Sequence, residues 1–195
     1  MNKSNYSEET AIEMAIVGDE SGYRYLLEKY QTFAYSIAIA IVRNEENAEE
    51  VVQDAFIRVF NNIAKFKKTG KFSTWLYRVV YNTSLTSLRG KKRIDVSSLN
   101  EAENYELDIP DNYSNGFNDL VKSDRIILVN KAIASLSEYE NLVVELYYKN
   151  ECSIIEIAKI TGWNISTIKT RLHRARQNLY KELSRLLGNE THDIR

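Results

Sequence analysis

The sequence SIIEIAKITGWNISTIKTRLHRARQNLYKELSRLL, residues 153–187, decides the architecture that we predict for the second half of the chain. Ser153 is a favourable N-cap for a short helix, and Gly162 tolerates the left-handed conformation at which such a helix ends. Asn164 can cap a second helix, in which apolar residues recur every three or four positions and predict one continuous buried stripe. The stripe consists of Ile168, Leu172, Ala175, Leu179, Leu183 and Leu186. This pattern is typical of a helix-turn-helix.

The face of the second helix opposite this stripe is rich in side chains that bind nucleic acid. At about 100° per residue, Thr170, His173 and Arg174 lie opposite the stripe, and cations lie on its flanks. Arg and Thr side chains bind base edges in the major groove, while cations and the free amides of a helix N-terminus bind phosphates. The predicted contacts to duplex DNA are Asn164, Ser166, Thr167, Lys169, Thr170, Arg171, His173, Arg174 and Arg176. The pattern alone also fits an ordinary solvated surface helix.

Composition excludes several classes of protein. The 195 residues carry a net charge of −1 and include one cysteine and two histidines. An internal disulfide is therefore excluded, and too few ligands remain for a zinc site of the usual composition, so we predict no metal and no cofactor. The sequence begins without a secretion signal, and its longest apolar run, residues 33–42, is too short to span a bilayer. It also lacks a phosphate-binding glycine loop and a catalytic set of Ser, His and acid. We therefore predict a cytoplasmic protein that does not insert into membranes and is not an enzyme.

Helical periodicity occupies two stretches of the chain, separated by an acidic stretch. Basic residues are absent between Ile94 and Val121, and Pro110 and Gly116 interrupt regular structure there. The sequence therefore predicts an all-α fold of two small helical domains joined by a flexible acidic linker, with the helix-turn-helix in the second domain. The predicted ranges are 8–93 and 119–187 for the domains, 94–118 for the linker and 188–195 for a tail.

The segment AEEVVQDAFIRVFNNI, residues 48–63, is predicted to be an amphipathic helix whose apolar residues point inward. Its water-facing side carries Glu49, Glu50, Gln53 and Asp54. Acids near a helix N-terminus are stabilised by the helix dipole, so this side fits an ordinary solvated face. It fits a docking surface for a basic partner equally well.

The segment KFKKTGKFSTWLYRVVYNTSLTSLRGKKR, residues 65–93, places lysines beside aromatic rings in a loop that precedes a helix. Such a surface suits single-stranded DNA, because the cations contact its backbone and the rings stack on unpaired bases. We expect Ser73 to cap a helix that starts at Thr74. The exposed side of this helix is predicted to carry Arg78, Asn82 and Arg89. The alternative is that the aromatic rings are core, and we expect Trp75 to be at least partly buried.

Together these segments resemble the extracytoplasmic-function sigma factors of bacterial RNA polymerase, over residues 10–187 or so. AEEVVQDAFIRVF is similar to the region-two helix that binds core polymerase. FSTWLYRVVYNTSLTSLRGKKR is similar to the segment that recognises and melts the minus-ten element, and SIIEIAKITGWNISTIKTRLHRAR to the region-four helix-turn-helix. Three motifs in this order around an acidic linker are more specific than any one alone. The resemblance implies a sigma factor that directs core polymerase to promoters and assists DNA melting during initiation.

The resemblance also implies a role for each surface. Core polymerase would bind to Glu49, Glu50, Gln53 and Asp54. The minus-ten element, as single-stranded DNA, would bind to Lys67, Lys68, Lys71, Phe72, Ser73, Trp75, Arg78, Asn82 and Arg89. The minus-thirty-five element, as duplex DNA, would be read by Lys169, Thr170, His173 and Arg174, with Arg171 and Arg176 on phosphates. An anti-sigma factor is implied as a further partner, although no residue of the sequence indicates one.

The chain departs from the family pattern at two positions. Thr86 stands where an acid is common, and Thr161 stands where leucine is usual, so packing at the turn is expected to differ. The main alternative function is a stand-alone helix-turn-helix regulator, which would leave the loop and the acidic face without a role. A helical nuclease and a regulatory adaptor such as an anti-sigma factor are further alternatives.

Overall fold

The computed structural model describes residues 6–95 and 117–190, and the side chains within residues 6–89 and 126–188. Over these residues the protein is all-α, as predicted, without a strand. The helices are α1 (Glu8–Ile16), α2 (Glu20–Val42), α3 (Glu45–Asn61), α4 (Phe72–Asp95), α5 (Phe117–Ala134), α6 (Glu138–Val144), α7 (Ile154–Thr161) and α8 (Ile165–Glu190). A 3-10 turn, Ile63–Lys65, follows α3, and a π-helical turn, Glu145–Lys149, follows α6. None of the helices described is long and apolar enough to cross a membrane.

Helix enters both ends of the range 94–118 that was predicted as a linker. Helix α4 extends to Asp95, and α5 begins at Phe117. Residues 96–116, on which the prediction of a flexible acidic linker rests, lie outside the described residues. Helix α8 runs to Glu190 and therefore includes the start of the predicted tail, 188–195.

Helices α1 to α4 form a bundle in which α2 packs against the other three. The side chains that cap the first three helices are Ser7, Asp19 and Asn44. Asn44 Oδ1 accepts a hydrogen bond from the Asn47 amide at 2.9 Å, so α3 begins at Glu45 rather than at the predicted Ala48. The inward-facing side of α3 is as predicted, since Val51 and Phe56 are buried in the bundle.

One hydrophobic core runs through both halves of the described chain. Its members from α4 include Leu76 and Val80, and its members from α7 include Ile157 and Ile160, each at most 1% exposed. Helix α4 packs directly against α7, and α2 packs against α6. The helix-turn-helix is therefore held against the first bundle by buried apolar surface, which is the largest stabilising contribution to such a contact.

The apolar stripe of α8 is buried in its first half only. Ile168, Leu172 and Ala175 are buried, whereas Leu179, Leu183 and Leu186 are half-exposed. The prediction of one continuous buried stripe is therefore wrong for the second half of the helix. The physical reason is length, because α8 has 26 residues and the helices α6 and α7 that cover it have 7 and 8.

Candidate nucleic-acid interface

The helix-turn-helix is built from α7, a tight turn and α8. Ser153 Oγ accepts a hydrogen bond from the Glu156 amide at 3.3 Å, and the Ser153 amide donates to Glu156 Oε2 at 2.8 Å, forming a capping box. Gly162 ends α7 with φ +75°, and Asn164 Oδ1 accepts from the Thr167 amide at 2.7 Å to start α8. The three residues predicted to start and stop these helices are thereby confirmed.

Thr161 fastens the turn at the position where leucine is usual in the family. Its side chain is buried, and its hydroxyl donates to the Ile157 carbonyl at 2.8 Å. The same oxygen accepts from the Trp163 amide at 3.2 Å. The expected difference in packing is therefore an exchange of apolar contact for two hydrogen bonds, which satisfy backbone groups at the helix end.

The outer face of α8 presents polar and cationic side chains to solvent. Its exposed members are Asn164, Ser166, Lys169, Thr170, His173, Arg174 and Arg176, and Thr167 is half-buried. Arg176 Nε donates to the Tyr148 hydroxyl at 2.7 Å, which holds this guanidinium beside the π-helical turn. The remaining cations of this face, Lys169 and Arg174, have no ion pair within the described residues.

Arg171 differs from its predicted position on an exposed cationic flank. It is half-buried, with its guanidinium carbon 3.7 Å from the centroid of the Trp163 ring and 4.4 Å from that of the Tyr139 ring. Its Nη1 is buried without a hydrogen-bond partner among the described residues. The side chain is thus stacked between the turn and α6, and sequence spacing missed this because Tyr139 lies on a different helix.

The loop before α4 also differs from the prediction. The Lys71 carbonyl accepts from the Trp75 amide at 3.4 Å, so α4 begins at Phe72 and Ser73 lies within its first turn rather than at its cap. Phe72 is 2% exposed, and its ring lies 5.6 Å from that of Tyr30 between ring centroids. Phe72 is therefore core and is not available for stacking on a base.

Trp75 lies at the boundary between this core and the surface. Its ring is half-buried and packs against the rings of Phe66 and Phe72 at 5.6 and 5.7 Å. Arg78, Asn82 and Arg89 are exposed on α4, as predicted from their helical spacing. Thr86, on the same helix, is exposed and donates to the Asn82 carbonyl at 2.9 Å.

A groove of about 540 Å³ lies beside Trp75. Five cations line it, Lys65, Lys67, Lys71, Arg78 and Lys159, together with the rings of Phe66 and Trp75. Lys67 and Lys71 are exposed at its rim, and Lys68 is exposed and forms an ion pair with Glu13 at 2.6 Å. The predicted grouping of lysines and aromatic rings is therefore a real concavity with a positive lining.

Helix α7 closes one side of this groove. Lys71 Nζ lies 2.8 Å from Glu156 Oε1, and Lys159 is a further lining residue from α7. The hydrogen bond from Lys71, with further bonds from Ser153, lowers the pKa of Glu156 to about 2. Sequence reasoning missed Glu156 and Lys159 because they are far from the loop along the chain, and only tertiary packing brings them to it.

The acidic side of α3 is exposed at Glu49, Glu50, Gln53 and Asp54. A second groove, of about 480 Å³, lies between α2 and α3. Its lining is Leu27, Gln31, Thr32, Tyr35, Glu49, Val52 and Gln53. Burial, with Glu45 and Glu49 nearby, raises the pKa of Tyr35. An apolar floor with an acidic rim suits a partner that carries both apolar and basic side chains.

Two segments of the chain match known domains. Residues 26–94 match sigma-70 region 2, and residues 126–179 match sigma-70 region 4. The chain is 30% identical over 177 residues to the ECF RNA polymerase sigma factor SigW of Bacillus subtilis, an alignment that covers 85% of this chain and 91% of SigW. It is 28% identical over 186 residues to the ECF RNA polymerase sigma-E factor of Escherichia coli K12, which covers 93% of this chain and 96% of that relative.

Solved structures of similar fold include RpoE in complex with the anti-sigma factor NepR from Bartonella quintana, with a TM-score of 0.69 and 22% identity over 83% of this chain and 96% of RpoE. CnrH in complex with the cytosolic domain of CnrY has a TM-score of 0.61 and 18% identity over 91% of this chain and 97% of CnrH. These likenesses concern the fold, whereas the matched domains and the identity to SigW establish the family. This chain belongs to the extracytoplasmic-function family of RNA polymerase sigma factors.

Proposed function

We propose that this chain, which as a sigma factor directs core polymerase to promoters, recognises its targets through three separate surfaces. The observation that carries the proposal is the presence, on different elements, of a duplex-type reading helix and a cationic groove with an aromatic wall. The first suits paired DNA and the second suits unpaired DNA. A promoter that is melted at one end presents both forms of DNA at once.

The first surface is the outer face of α8, which we assign to the minus-thirty-five element. Thr170, His173 and Arg174 would contact base edges, and a bidentate Arg contact discriminates between bases by ~1–3 kcal/mol. Lys169 and Arg176 would contact phosphates. The amides at the start of α8, beside Asn164, Ser166 and Thr167, offer a further phosphate site. Arg171 would support this surface through its stack with Trp163 rather than by binding DNA.

The second surface is the groove beside Trp75, which we assign to the minus-ten element. Extruding a base from duplex DNA costs a few kcal/mol, and contacts to the unpaired strand offset this cost. Stacking on an aromatic ring contributes ~1–3 kcal/mol per base, and the exposed part of Trp75 is the ring placed to provide it. Lys67, Lys71 and Arg78 would contact the backbone at the groove. Lys68, Asn82 and Arg89 would continue this contact, and Phe72 and Ser73 would support the ring from beneath.

The third surface is the acidic side of α3 with its adjoining groove, which we assign to core polymerase. Glu49, Glu50, Gln53 and Asp54 would attract a basic helix of the polymerase, and apolar side chains of that partner would enter between α2 and α3. The chemistry of RNA synthesis would then belong to the polymerase. Because bacterial polymerase and promoters are cytoplasmic, we place this chain in the cytoplasm. We also propose an anti-sigma partner, as in the complexes of RpoE and CnrH.

We further propose that residues 8–93 and 119–187 act as the two DNA-binding units in the initiation complex. Residues 94–118 would connect them, and residues 188–195 would form a tail. The connection would allow the two units to take positions on separate promoter elements.

In-vitro transcription tests this proposal. Purified chain is added to core polymerase that lacks any sigma factor, on a library of promoter fragments, and the transcripts are sequenced. We expect defined start sites that share an upstream and a minus-ten element, and random or absent starts would refute the proposal. Gel shifts separate the alternative of a stand-alone regulator, which would bind promoter DNA tightly without polymerase.

A charge reversal tests the third surface. Glu50→Lys is expected to weaken binding to core polymerase roughly tenfold, the weight of one close charge pair of ~1.5 kcal/mol. Glu9→Lys is the matched control, because Glu9 is an exposed acid near the start of α1 and away from α3. Equal effects of the two substitutions on polymerase affinity would contradict the assignment.

A further inference from the structure

The minus-ten groove and the helix-turn-helix touch each other directly. Lys71 and Glu156 form an ion pair at 2.8 Å, and the rings of Tyr81 on α4 and Trp163 in the turn meet edge to face, 6.1 Å apart between centroids. Arg43, at the end of α2, donates to the carbonyl of Leu136, which precedes α6. The two halves of the sigma factor are thus closed upon each other by apolar, aromatic and ionic contacts.

Closure places a carboxylate on a cation that we assign to DNA. Glu156 Oε1 lies within hydrogen-bond distance of Lys71 Nζ, at the place where a strand phosphate would bind. The Glu156 side chain is 17% exposed, so the pair is shielded from solvent on one side. With its pKa near 2, Glu156 remains charged at any physiological pH. A permanently charged, partly shielded carboxylate is an effective competitor for the position of a phosphate.

The closed arrangement also conflicts with the geometry of a promoter. The minus-ten and minus-thirty-five elements are separated by ~25 base pairs, which at 3.4 Å each is ~85 Å of duplex. In the closed chain, Glu156 of the helix-turn-helix is one hydrogen bond away from Lys71 of the groove. The two DNA-binding surfaces must therefore separate before they can occupy both elements.

We propose, resting on the function proposed above, that α7 is an autoinhibitory segment in which Glu156 takes the place of a DNA phosphate on Lys71. It holds the free chain closed and covers one side of the minus-ten groove. Opening, driven by core polymerase or by the single strand itself, exchanges Glu156 for a phosphate. The surface that α7 covers is thus both a DNA site and an internal docking site, and the two uses exclude each other.

Cys152 is a native reporter of this opening. It is 8% exposed and lies at the contact, since Lys71 and Tyr77 of the first bundle are near enough to interact with it electrostatically. Burial raises the pKa of its thiol to about 11. Opening would expose the thiol, so its rate of modification by a disulfide reagent such as 5,5′-dithiobis(2-nitrobenzoate) measures the open fraction.

The test compares Glu156→Gln with Glu140→Gln. Both glutamates complete a capping box, with Ser153 and Ser137 respectively, and glutamine also serves in such a box. Only Glu156 contacts Lys71. Because a partly exposed ion pair is worth up to ~1 kcal/mol, Glu156→Gln is expected to speed modification of Cys152 about twofold to fivefold. Glu140→Gln should leave the rate at that of the unmodified chain.

Binding of a fluorescein-labelled single strand, measured by anisotropy, provides a second readout. Glu156→Gln should bind the strand about twofold to fivefold more tightly than Glu140→Gln, which has the same net charge. In a third comparison, Glu156→Lys alone should modify quickly, and the swap Lys71→Glu with Glu156→Lys should restore slow modification. This swap is used only to measure closure, because Lys71 is itself assigned to DNA.

Equal rates of Cys152 modification in Glu156→Gln and Glu140→Gln, with both variants folded by circular dichroism, would overturn autoinhibition. So would a charge swap that modifies as fast as Glu156→Lys alone. The thiol measurement contains neither polymerase nor promoter. It therefore reports closure even if the chain fails to choose a start site, and a failure of the proposed function is distinguishable from a failure of this inference.

Discussion

Replacing Arg171 with alanine distinguishes a stacking role from a phosphate-binding role for this side chain. The guanidinium lies 3.7 Å from the centroid of Trp163 and 4.4 Å from that of Tyr139. Each cation–π contact contributes ~0.5–2 kcal/mol, depending on exposure. The buried Nη1 that lacks a described partner costs part of this gain. We therefore expect Arg171→Ala to lower the free energy of unfolding by ~1–2 kcal/mol.

Thermal unfolding followed by circular dichroism measures this effect. For a chain of this size, 1 kcal/mol corresponds to ~2–4 °C in Tm, so a decrease of ~2–8 °C is expected. Arg171→Lys keeps the charge but loses the planar group, and it should recover only part of the lost stability. Arg174→Ala is the control, because Arg174 is exposed on the same helix and should leave Tm unchanged.

The phosphate-binding alternative makes the opposite prediction. If Arg171 contacts DNA directly, Arg171→Ala should reduce the salt dependence of DNA binding by one phosphate, a change of ~1 in the slope, at unchanged Tm. That combination of results would refute the stacking argument. A lower Tm with an unchanged salt slope would support it.

Three further substitutions test the assignments within the two DNA surfaces. Arg174→Ala is expected to cost ~1–3 kcal/mol of discrimination at one upstream base pair, measured by competition binding, and a uniform loss on all sequences would exclude direct readout. Trp75→Ala should reduce open-complex formation, measured by permanganate reactivity of unpaired thymines, and a chain that is unfolded by circular dichroism would instead assign the ring to the core. Phe72→Ala should lower the free energy of unfolding by ~3–5 kcal/mol in urea, because this ring is fully enclosed. A stable Phe72→Ala protein that fails only in DNA melting would contradict its core assignment.

Local rules predicted the helix-turn-helix well. Capping at Ser153 and Asn164, and termination at Gly162, depend on hydrogen bonds that span three or four residues, and such bonds follow from the residues themselves. The inward side of α3 follows from helical periodicity in the same way. The starts of α3 and α4 were misplaced by two or three residues, because more than one polar residue near each start is able to cap a helix.

The placement of Phe72, Arg171 and Trp75 required the tertiary structure. An aromatic ring in a cationic loop fits a DNA contact and a core position equally well until its neighbours are known. Tyr30 decides the matter for Phe72, and Tyr139 decides it for Arg171, and each belongs to a helix that is distant along the chain. Pattern rules assign a face to a side chain, but they do not identify the element that covers this face.

By itself, the amino-acid sequence determined the helical class, the reading helix and the family, since each depends on short-range spacing or on ordered motifs. Only the tertiary structure decided that the two halves share one core and that Glu156 meets Lys71. The physical reason is that burial and ion pairing between distant segments depend on which apolar faces choose each other, and many pairings satisfy the same periodicity. In this protein that choice brings a carboxylate to the groove that we assign to the opened strand.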